Sequence, residues 1–255
     1  MRIGRIALFT LGGIALTSAV SAVIFALIPP NSFDDRPMEE ICFDLEGSVT
    51  KTVPACTALI DSSRYSGDEL ANVYFERAMS FQSWGKIDFA IADLNESNRI
   101  SPSSSGHEWL GSIYEGRGEL DKALAEYNEM ILLEPERPAG YQRRADLRMK
   151  KGEYEKAIPD WSEAIRFEHP LTGVYEDYRR AAAHRVLGHE AESLADLDKA
   201  IESDSYASGA FNERAKIHEK RGERDKAIDD YRNALASQPY DPTAIEGLKR
   251  LGVKP

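Results

Sequence analysis

Residues 107–135 read HEWLGSIYEGRGELDKALAEYNEMILLEP, and the chain from about residue 71 onward repeats this stretch with variations. Its apolar residues recur at helical spacing on both sides of Gly118, which predicts two amphipathic helices joined by a turn. Gly118 can adopt the left-handed conformation that ends a helix, and Pro135 stops the second helix. Small residues at Gly111 and Ala123 allow the two helices to approach closely. The stretch therefore encodes one helical hairpin.

The turn glycines indicate that the hairpin recurs five times. They stand 33, 34, 36 and 34 residues apart, at Gly85, Gly118, Gly152, Gly188 and Gly222. A fixed period of this kind is typical of stacked repeat architectures. The unit from about Val174 departs most from the pattern. Pro159 falls inside the second helix of the unit before it, where we expect a local distortion.

The repeat signature resembles that of the tetratricopeptide repeat (TPR) family. The matching residues are Leu110, Gly111, Tyr114, Gly118, Ala123, Tyr127 and Pro135, while His107 and Met130 depart from the pattern. The resemblance covers residues 71–239 and implies an all-α fold, a right-handed superhelical solenoid of five helix-turn-helix units in residues 71–240. Residues 241–255 are predicted to form a C-terminal capping helix, with Asp241 as its N-cap and Pro242 in its first turn.

The same resemblance implies a concave groove, lined by the first helix of each unit, that receives a peptide or a helix of a partner protein. We expect partner binding at six groove positions: Gln142, Asp146, Tyr178, Arg185, Asn212 and Lys216. Tyr178 and Arg185 are the first choice for substitution, because exposed Tyr and Arg commonly anchor interfaces. The Lys and Asn arrangement with which some family members clamp a C-terminal carboxylate is absent.

One regularity is not demanded by the family pattern. In four of the five units an Arg replaces the usual Leu of the first helix and an Asp follows 16 residues later, as Arg77 with Asp93, Arg144 with Asp160, Arg180 with Asp196, and Arg214 with Asp230. The remaining unit has Leu110 in place of the Arg and Glu126 in place of the Asp. We therefore predict a structural ion pair inside each of four hairpins.

Composition narrows the function classes. The chain has 255 residues, of which 42% are hydrophobic and 29% charged, as in globular proteins. Its net charge of -11 argues against nucleic-acid binding, which needs clustered Lys and Arg. The five histidines have no metal-ligand spacing and no glycine-rich phosphate loop is present. These features predict a binding protein without catalytic residues, metal or cofactor. The alternatives are an enzyme, or enzyme subunit, with its site in the groove, and self-association of the chain.

The N-terminus indicates export. Arg2 and Arg5 precede residues 6–28, a run of 23 residues without charge that as a helix would extend about 35 Å, enough to cross a bilayer. The distribution of Lys and Arg places the N-terminus in the cytoplasm and the repeats across the membrane. Residues 1–28 form either a signal peptide cleaved near Ala19 or Ala22, or an uncleaved signal anchor. The apolar run continues past Ala22, which favours the anchor.

Export bears on the two cysteines. Residues 29–38 contain three prolines and are predicted to be an extended linker, and residues 39–70 to be an N-terminal capping segment. In an oxidising compartment Cys42 and Cys56 are expected to form a disulfide within that segment. The alternative is two unrelated buried thiols.

The resemblance adds a bacterial setting: a scaffold or adaptor of the cell envelope, held in the inner membrane with its repeats in the periplasm, or soluble in the periplasm after cleavage.

Overall fold

The structure, a computed structural model, describes residues 36–44, 47–167, 174–203 and 207–255. These residues form thirteen α-helices, and no strand occurs among them. The apolar run 6–28 and most of the linker predicted at 29–38 lie outside the described residues. Within the described part of the chain, no helix is long and apolar enough to span a bilayer. Contacts divide the chain after Ile113 into two compact units.

The first unit begins with two helices that precede the repeats. Its helices are α1 (Met38–Cys42), α2 (Val49–Asp61), α3 (Gly67–Ser83), α4 (Ile87–Ile100) and α5 (Ser104–Gly116), the last of which crosses the division. Helices α1, α2 and α3 share a small apolar core that includes Ile41, Leu59 and Val73. Helices α3 and α4 form the first hairpin, across which Phe81 and Phe89 stack with ring centroids 5.2 Å apart. The two preceding helices therefore pack on the first helix of the first repeat.

The second unit continues the hairpins and ends in a single helix. Its helices are α6 (Leu120–Leu133), α7 (Pro138–Lys150), α8 (Tyr154–Phe167), α9 (Val174–Val186), α10 (Glu190–Ser203), α11 (Ser208–Lys220), α12 (Arg224–Ser237) and α13 (Pro242–Arg250). Helices α7 and α8, α9 and α10, and α11 and α12 pair as hairpins. The second helix of each of these hairpins buries one large side chain completely, namely Trp161, Leu197 and Tyr231.

Each hairpin turn is built around a glycine with positive φ. The φ angles are 73° at Gly85, 74° at Gly118, 75° at Gly152, 78° at Gly188 and 73° at Gly222. The amide after each glycine donates to the carbonyl five residues earlier, as Lys86 N does to Phe81 O at 2.8 Å. This pattern is the Schellman motif, which satisfies carbonyls that the end of a helix leaves without partners. The five turns predicted from the glycines are confirmed.

Pro159 does not interrupt the helix that contains it. Helix α8 runs continuously from Tyr154 to Phe167, so the expected distortion neither ends nor divides it. Proline at this position removes the bond to the carbonyl of Glu155, in the first turn, while the rest of the helix keeps its own bonds. A bend of the helix axis at Pro159 stays a prediction.

The C-terminal helix α13 begins as predicted at an Asp N-cap. The Asp241 carboxylate accepts hydrogen bonds from the amides of Thr243 at 2.8 Å and Ala244 at 3.1 Å. The helix buries Ala244 and Leu248 in an apolar cluster with residues of α11 and α12. It therefore covers the apolar surface that the last hairpin leaves at its end.

Candidate functional site

The structure brings the four predicted Arg and Asp pairs together across their hairpins. In each pair the Arg donates from Nε and Nη2 to the two carboxylate oxygens of the Asp, a bidentate arrangement. The two distances are 2.7 and 2.8 Å for Arg77 with Asp93, 3.0 and 2.6 Å for Arg144 with Asp160, 2.8 and 2.6 Å for Arg180 with Asp196, and 3.0 and 2.8 Å for Arg214 with Asp230. All four pairs therefore join the two helices of one hairpin.

The third nitrogen of each Arg makes a contact that the sequence reasoning missed. Nη1 donates to a polar side chain of the helix before the hairpin: Arg77 to Thr57 at 3.0 Å, Arg144 to Asn128 at 2.7 Å, Arg180 to Ser162 at 3.0 Å, and Arg214 to Asp198 at 2.6 Å. Each guanidinium thus links its own hairpin to the preceding helix. We refer to these contacts together as the arginine ladder.

A signal for this second contact was present in the sequence. The acceptors Asn128, Ser162 and Asp198 each stand two residues after the acidic position of their own hairpin. Asn95 occupies the same position, but the next unit has Leu110 instead of Arg, and the Asn95 amide donates to the carbonyl of Ile91 at 2.8 Å. Leu110 is 1% exposed. The ladder therefore has a gap where an apolar side chain is buried.

Burial sets the electrostatics of the first pair. The side chains of Arg77 and Asp93 are only 5% and 7% exposed. Burial raises the pKa of Asp93, although the hydrogen bonds and charge of Arg77 act to lower it. Because taking two charges out of water offsets much of their attraction, a buried pair of this kind fixes geometry more than it adds net stability.

The disulfide between Cys42 and Cys56 is present and joins α1 to α2. Both cysteines are almost completely buried in the core shared with α3. Helix α1 is also held by the Tyr65 hydroxyl, which donates to Glu39 at 2.9 Å. A backbone hydrogen bond and this contact lower the pKa of Glu39. The short helix α1 thus depends on side-chain links, since five residues cannot sustain a helix alone.

One concave surface of the second unit lies between the first helices of two successive hairpins. A cavity of about 620 Å³ opens between α7 and α9, and we call it the α7/α9 groove. Its lining includes Arg143, Asp146, Met149 and Lys150 from α7, Tyr175, Arg179, Ala182, Arg185 and Val186 from α9, together with Glu115 and Tyr154. Tyr175 is 51% exposed and Val186 is 48% exposed. The groove therefore combines accessible apolar surface with charged groups.

Positive charge predominates in the α7/α9 groove. Among the described residues, four Arg or Lys side chains line it, against two carboxylates, in a chain whose net charge is -11. Asp146 pairs with Arg179, and Glu115 accepts from Lys150 at 3.3 Å. The guanidinium of Arg179 also lies 5.7 Å from the centre of the Tyr175 ring. Burial raises the pKa of the Tyr175 hydroxyl, so this ring stays neutral at physiological pH.

Two of the six predicted partner-binding residues line this groove, Asp146 and Arg185. Arg185 projects from α9, and its Nε lies 2.7 Å from the carboxylate of Glu213. Lys216 pairs with the same carboxylate at 2.6 Å. Gln142 lies outside the lining and donates to Glu176 at 2.5 Å. These contacts hold the first helices of neighbouring hairpins together.

The remaining two predicted positions, Tyr178 and Asn212, contact other helices of the repeats. Tyr178 is partly buried and packs against the apolar cluster of the fourth hairpin. Its ring lies so close to Gly209 that an added Cβ there would be 3.3 Å from its Cζ. Asn212 is 5% exposed, and its amide donates to Asp241 at 2.8 Å. Both side chains pack within the repeats, because the glycine and the N-cap leave space that they fill.

The groove residues that sequence reasoning missed are Arg143, Lys150, Tyr154, Tyr175, Arg179 and Val186. A search for exposed Arg and Tyr on the first helices would have found several of them. Among the residues that the structure describes, no group of three or more His, Cys, Asp or Glu could hold a metal ion.

Successive helical hairpins, closed by Schellman glycines and joined through small residues, define the chain as a helical repeat protein. Its fold is that of the tetratricopeptide-repeat proteins. The C-terminal part of a TPR repeat-containing protein from Cytophaga hutchinsonii is similar over 91% of this chain and 95% of its own, with a TM-score of 0.71 and 14% identity. The TPR protein YrrB, described as having an unusual peptide-binding site, is similar over 77% of this chain and 99% of its own, with a TM-score of 0.62 and 16% identity.

Sequence comparison gives a match to part of the chain. No protein-family model matches the chain. Hsp70-Hsp90 organizing protein 1 of Glycine max is 26% identical over 132 residues, which are 52% of this chain. The match spans only 23% of the length of that plant protein. These similarities agree on the repeat fold.

Proposed function

We propose that this chain is a protein-interaction adaptor that binds an acidic segment of a partner protein in the α7/α9 groove. The observation that carries the proposal is the excess of Arg and Lys in a concave surface of a chain with net charge -11. Cations gathered against the overall charge attract carboxylates and repel basic segments. The peptide-binding site in the description of YrrB and the organizing role in the name of the Glycine max relative support an adaptor.

The apolar part of the groove adds a second requirement. Tyr175 and Val186 are about half exposed, and Met149 lies beside them in the lining. A ligand with an apolar or aromatic residue next to Asp or Glu would bury this surface while its carboxylates meet Lys150 and Arg185. We therefore expect the bound segment to mix acidic and apolar residues.

The cellular setting is also part of the proposal. The charge-free run 6–28 would anchor the chain in a bacterial inner membrane and place the repeats in the periplasm. The buried disulfide between Cys42 and Cys56 supports an oxidising compartment. Cleavage near Ala19 or Ala22 would instead release the repeats into the periplasm.

A peptide-display selection on the full chain tests the groove. We expect random heptapeptides that bind to be enriched in Asp and Glu beside aromatic or aliphatic residues. Lys150→Glu and Tyr175→Ala should each weaken a selected peptide by about tenfold, because a removed ion pair or buried ring is worth roughly 1 to 2 kcal/mol. Affinity should also fall as salt is raised.

Lys249→Glu is the matched control, because Lys249 is exposed on α13 and lies outside the α7/α9 groove lining. This variant makes the same change in net charge as Lys150→Glu and should keep the affinity within about twofold. The proposal fails if no acidic peptides are selected, or if their affinity is the same in all three variants. Size measurement of the full chain without peptide separates self-association from this outcome.

A further inference from the structure

A second cavity lies in the first unit, beside the disulfide-linked helices. It has a volume of about 430 Å³ and is lined by α3, by Phe43 at the end of α1, and by serines at the end of α4 and the start of α5. Phe43 and Phe75 contribute two aromatic rings, and Phe43 is 42% exposed. None of the residues that line the α7/α9 groove lines this cavity. We call it the Phe43/Glu76 pocket.

One carboxylate in this pocket has no partner. Glu76 is half-buried in the lining and makes no hydrogen bond or ion pair with any of the described residues. Burial raises the pKa of Glu76, and neither a nearby cation nor a hydrogen bond acts on it. By contrast, Glu96 on α4 is paired with Arg99 at 2.6 Å. A half-buried carboxylate without a cation is costly to the fold, so its position calls for a ligand that supplies one.

The other polar side chains of the pocket are the amide of Asn72 and serine hydroxyls, which can accept as well as donate, and they lie beside the two rings. The Ser97 hydroxyl already donates to the carbonyl of Ala71 at 2.8 Å, which leaves its oxygen free to accept. The Ser103 hydroxyl oxygen accepts from the amide of Gly106 at 3.0 Å. Among the described residues that line the pocket there is no Arg, Lys or His. An anion would therefore meet a carboxylate and no cation, while a neutral apolar ligand would bury Glu76 further.

A cation with N–H donors fits each of these groups. Its charge pairs with Glu76, its N–H groups donate to serine oxygens, and its alkyl part or guanidinium plane contacts Phe43 and Phe75. We propose that the Phe43/Glu76 pocket binds a Lys or Arg side chain of a protein segment. This inference depends on the proposed function in one respect, namely that the ligand is part of a protein. The residues of the pocket are different from those of the α7/α9 groove.

The disulfide positions one wall of the pocket. Phe43 follows Cys42 directly, and Cys42 is bonded to Cys56 on α2. Because α1 has only five residues, this bond and the contact of Tyr65 with Glu39 help to hold Phe43 at the end of α1. The pocket therefore belongs to the oxidised protein.

Titration of the isotope-labelled full chain with acetyl-Gly-Gly-Lys-Gly-Gly-amide, followed by NMR, tests the proposal. We expect saturable shifts of the Phe43, Phe75 and Glu76 signals. The same peptide with norleucine in place of Lys keeps the methylene chain and lacks the ammonium, and it should bind at least about tenfold more weakly. Absence of saturable shifts with the Lys peptide would overturn the proposal.

Glu76→Gln should weaken the Lys peptide at least about tenfold, and it should fold at least as stably as the parent because it removes an unpaired charge from the pocket. The matched control is Glu69→Gln, which removes the same charge from an exposed site on α3 and should leave affinity within about twofold. Equal affinity in both variants would overturn the role of Glu76. Butylammonium binding as tightly as the Lys peptide would overturn the assignment to a protein segment. Lys150→Glu, which tests the α7/α9 groove, should leave this titration unchanged.

Discussion

At the residue scale, one Arg side chain serves two structural purposes. Arg77 uses two nitrogens to fix Asp93 within its hairpin and the third to reach Thr57 on the preceding helix. Lys could not do the same, because its single ammonium lacks the planar set of donors. The four Arg side chains differ in burial, from 5% exposed at Arg77 to 22% at Arg214. Their substitution should therefore have unequal effects.

We predict that Arg77→Ala lowers the free energy of unfolding by about 3 kcal/mol, because it strands the buried Asp93 carboxylate. Arg214→Ala should cost less, since water reaches that site more easily. Chemical denaturation followed by circular dichroism measures both. Arg99→Ala is the control: its ion pair with Glu96 is exposed, and about 0.5 kcal/mol or less is expected. Equal costs for Arg77 and Arg99 would contradict a structural role for the buried pair.

The sequence predicted the pairs but not all their partners. The 16-residue spacing of Arg and Asp could be recognised in the sequence because it occurs in four of the repeats. The contact of Nη1 depends on how one hairpin packs on the helix before it, which no single repeat contains. The surroundings of Tyr178 and Asn212 could not be predicted for a related reason: small or capping residues of another helix, Gly209 and Asp241, decide whether a polar side chain is covered.

At the scale of elements, helices α1 and α2 are the ones most dependent on a covalent bond. Helix α1 has five residues and α2 contains Pro54, so neither is stable through its backbone alone. Their core with α3 is small, and two of its six buried residues are the cysteines. The glycines in the sequence predicted the positions of the turns and of the long helices. They could not predict the structure of α1 and α2, because these two helices lie outside the repeat pattern.

We predict that the double variant Cys42→Ser, Cys56→Ser loses about 3 kcal/mol in the stability of the first unit. Helices α1 and α2 should lose protection in amide hydrogen exchange, while the hairpins of the second unit keep theirs. Reduction of the parent protein should reproduce the result. Uniform loss of protection through both units, or none, would show that the bond does not hold this segment in particular.

At the scale of the whole molecule, the charges are distributed unevenly. The chain carries a net charge of -11, yet the α7/α9 groove is rich in cations and the Phe43/Glu76 pocket has an unpaired carboxylate. The repeat pattern predicted a groove but could not show this distribution. Side chains of several helices form each surface, and their proximity depends on packing.

We predict that residues 1–28 determine the location of the chain in cells. If they form an uncleaved anchor, the full chain should stay in the membrane fraction after alkaline extraction, and a protein lacking residues 1–28 should not. Protease added to spheroplasts, cells whose outer envelope is opened, should digest the repeats. Resistance of the repeats in intact spheroplasts, with digestion only after lysis, would contradict export.

The arginine ladder also gives the array a direction. In the second unit, each ladder Arg depends on the helix before it, as Arg144 does on Asn128 and Arg180 on Ser162. If one hairpin unfolds, the Arg of the next hairpin loses the side chain that accepts from its Nη1 group. If the following hairpin opens, the one before it exposes only a short polar side chain that water can satisfy. Unfolding should therefore spread from one hairpin to the next along the chain more readily than to the one before it. The N-terminal and C-terminal ends of the array are thus not equivalent in how they unfold.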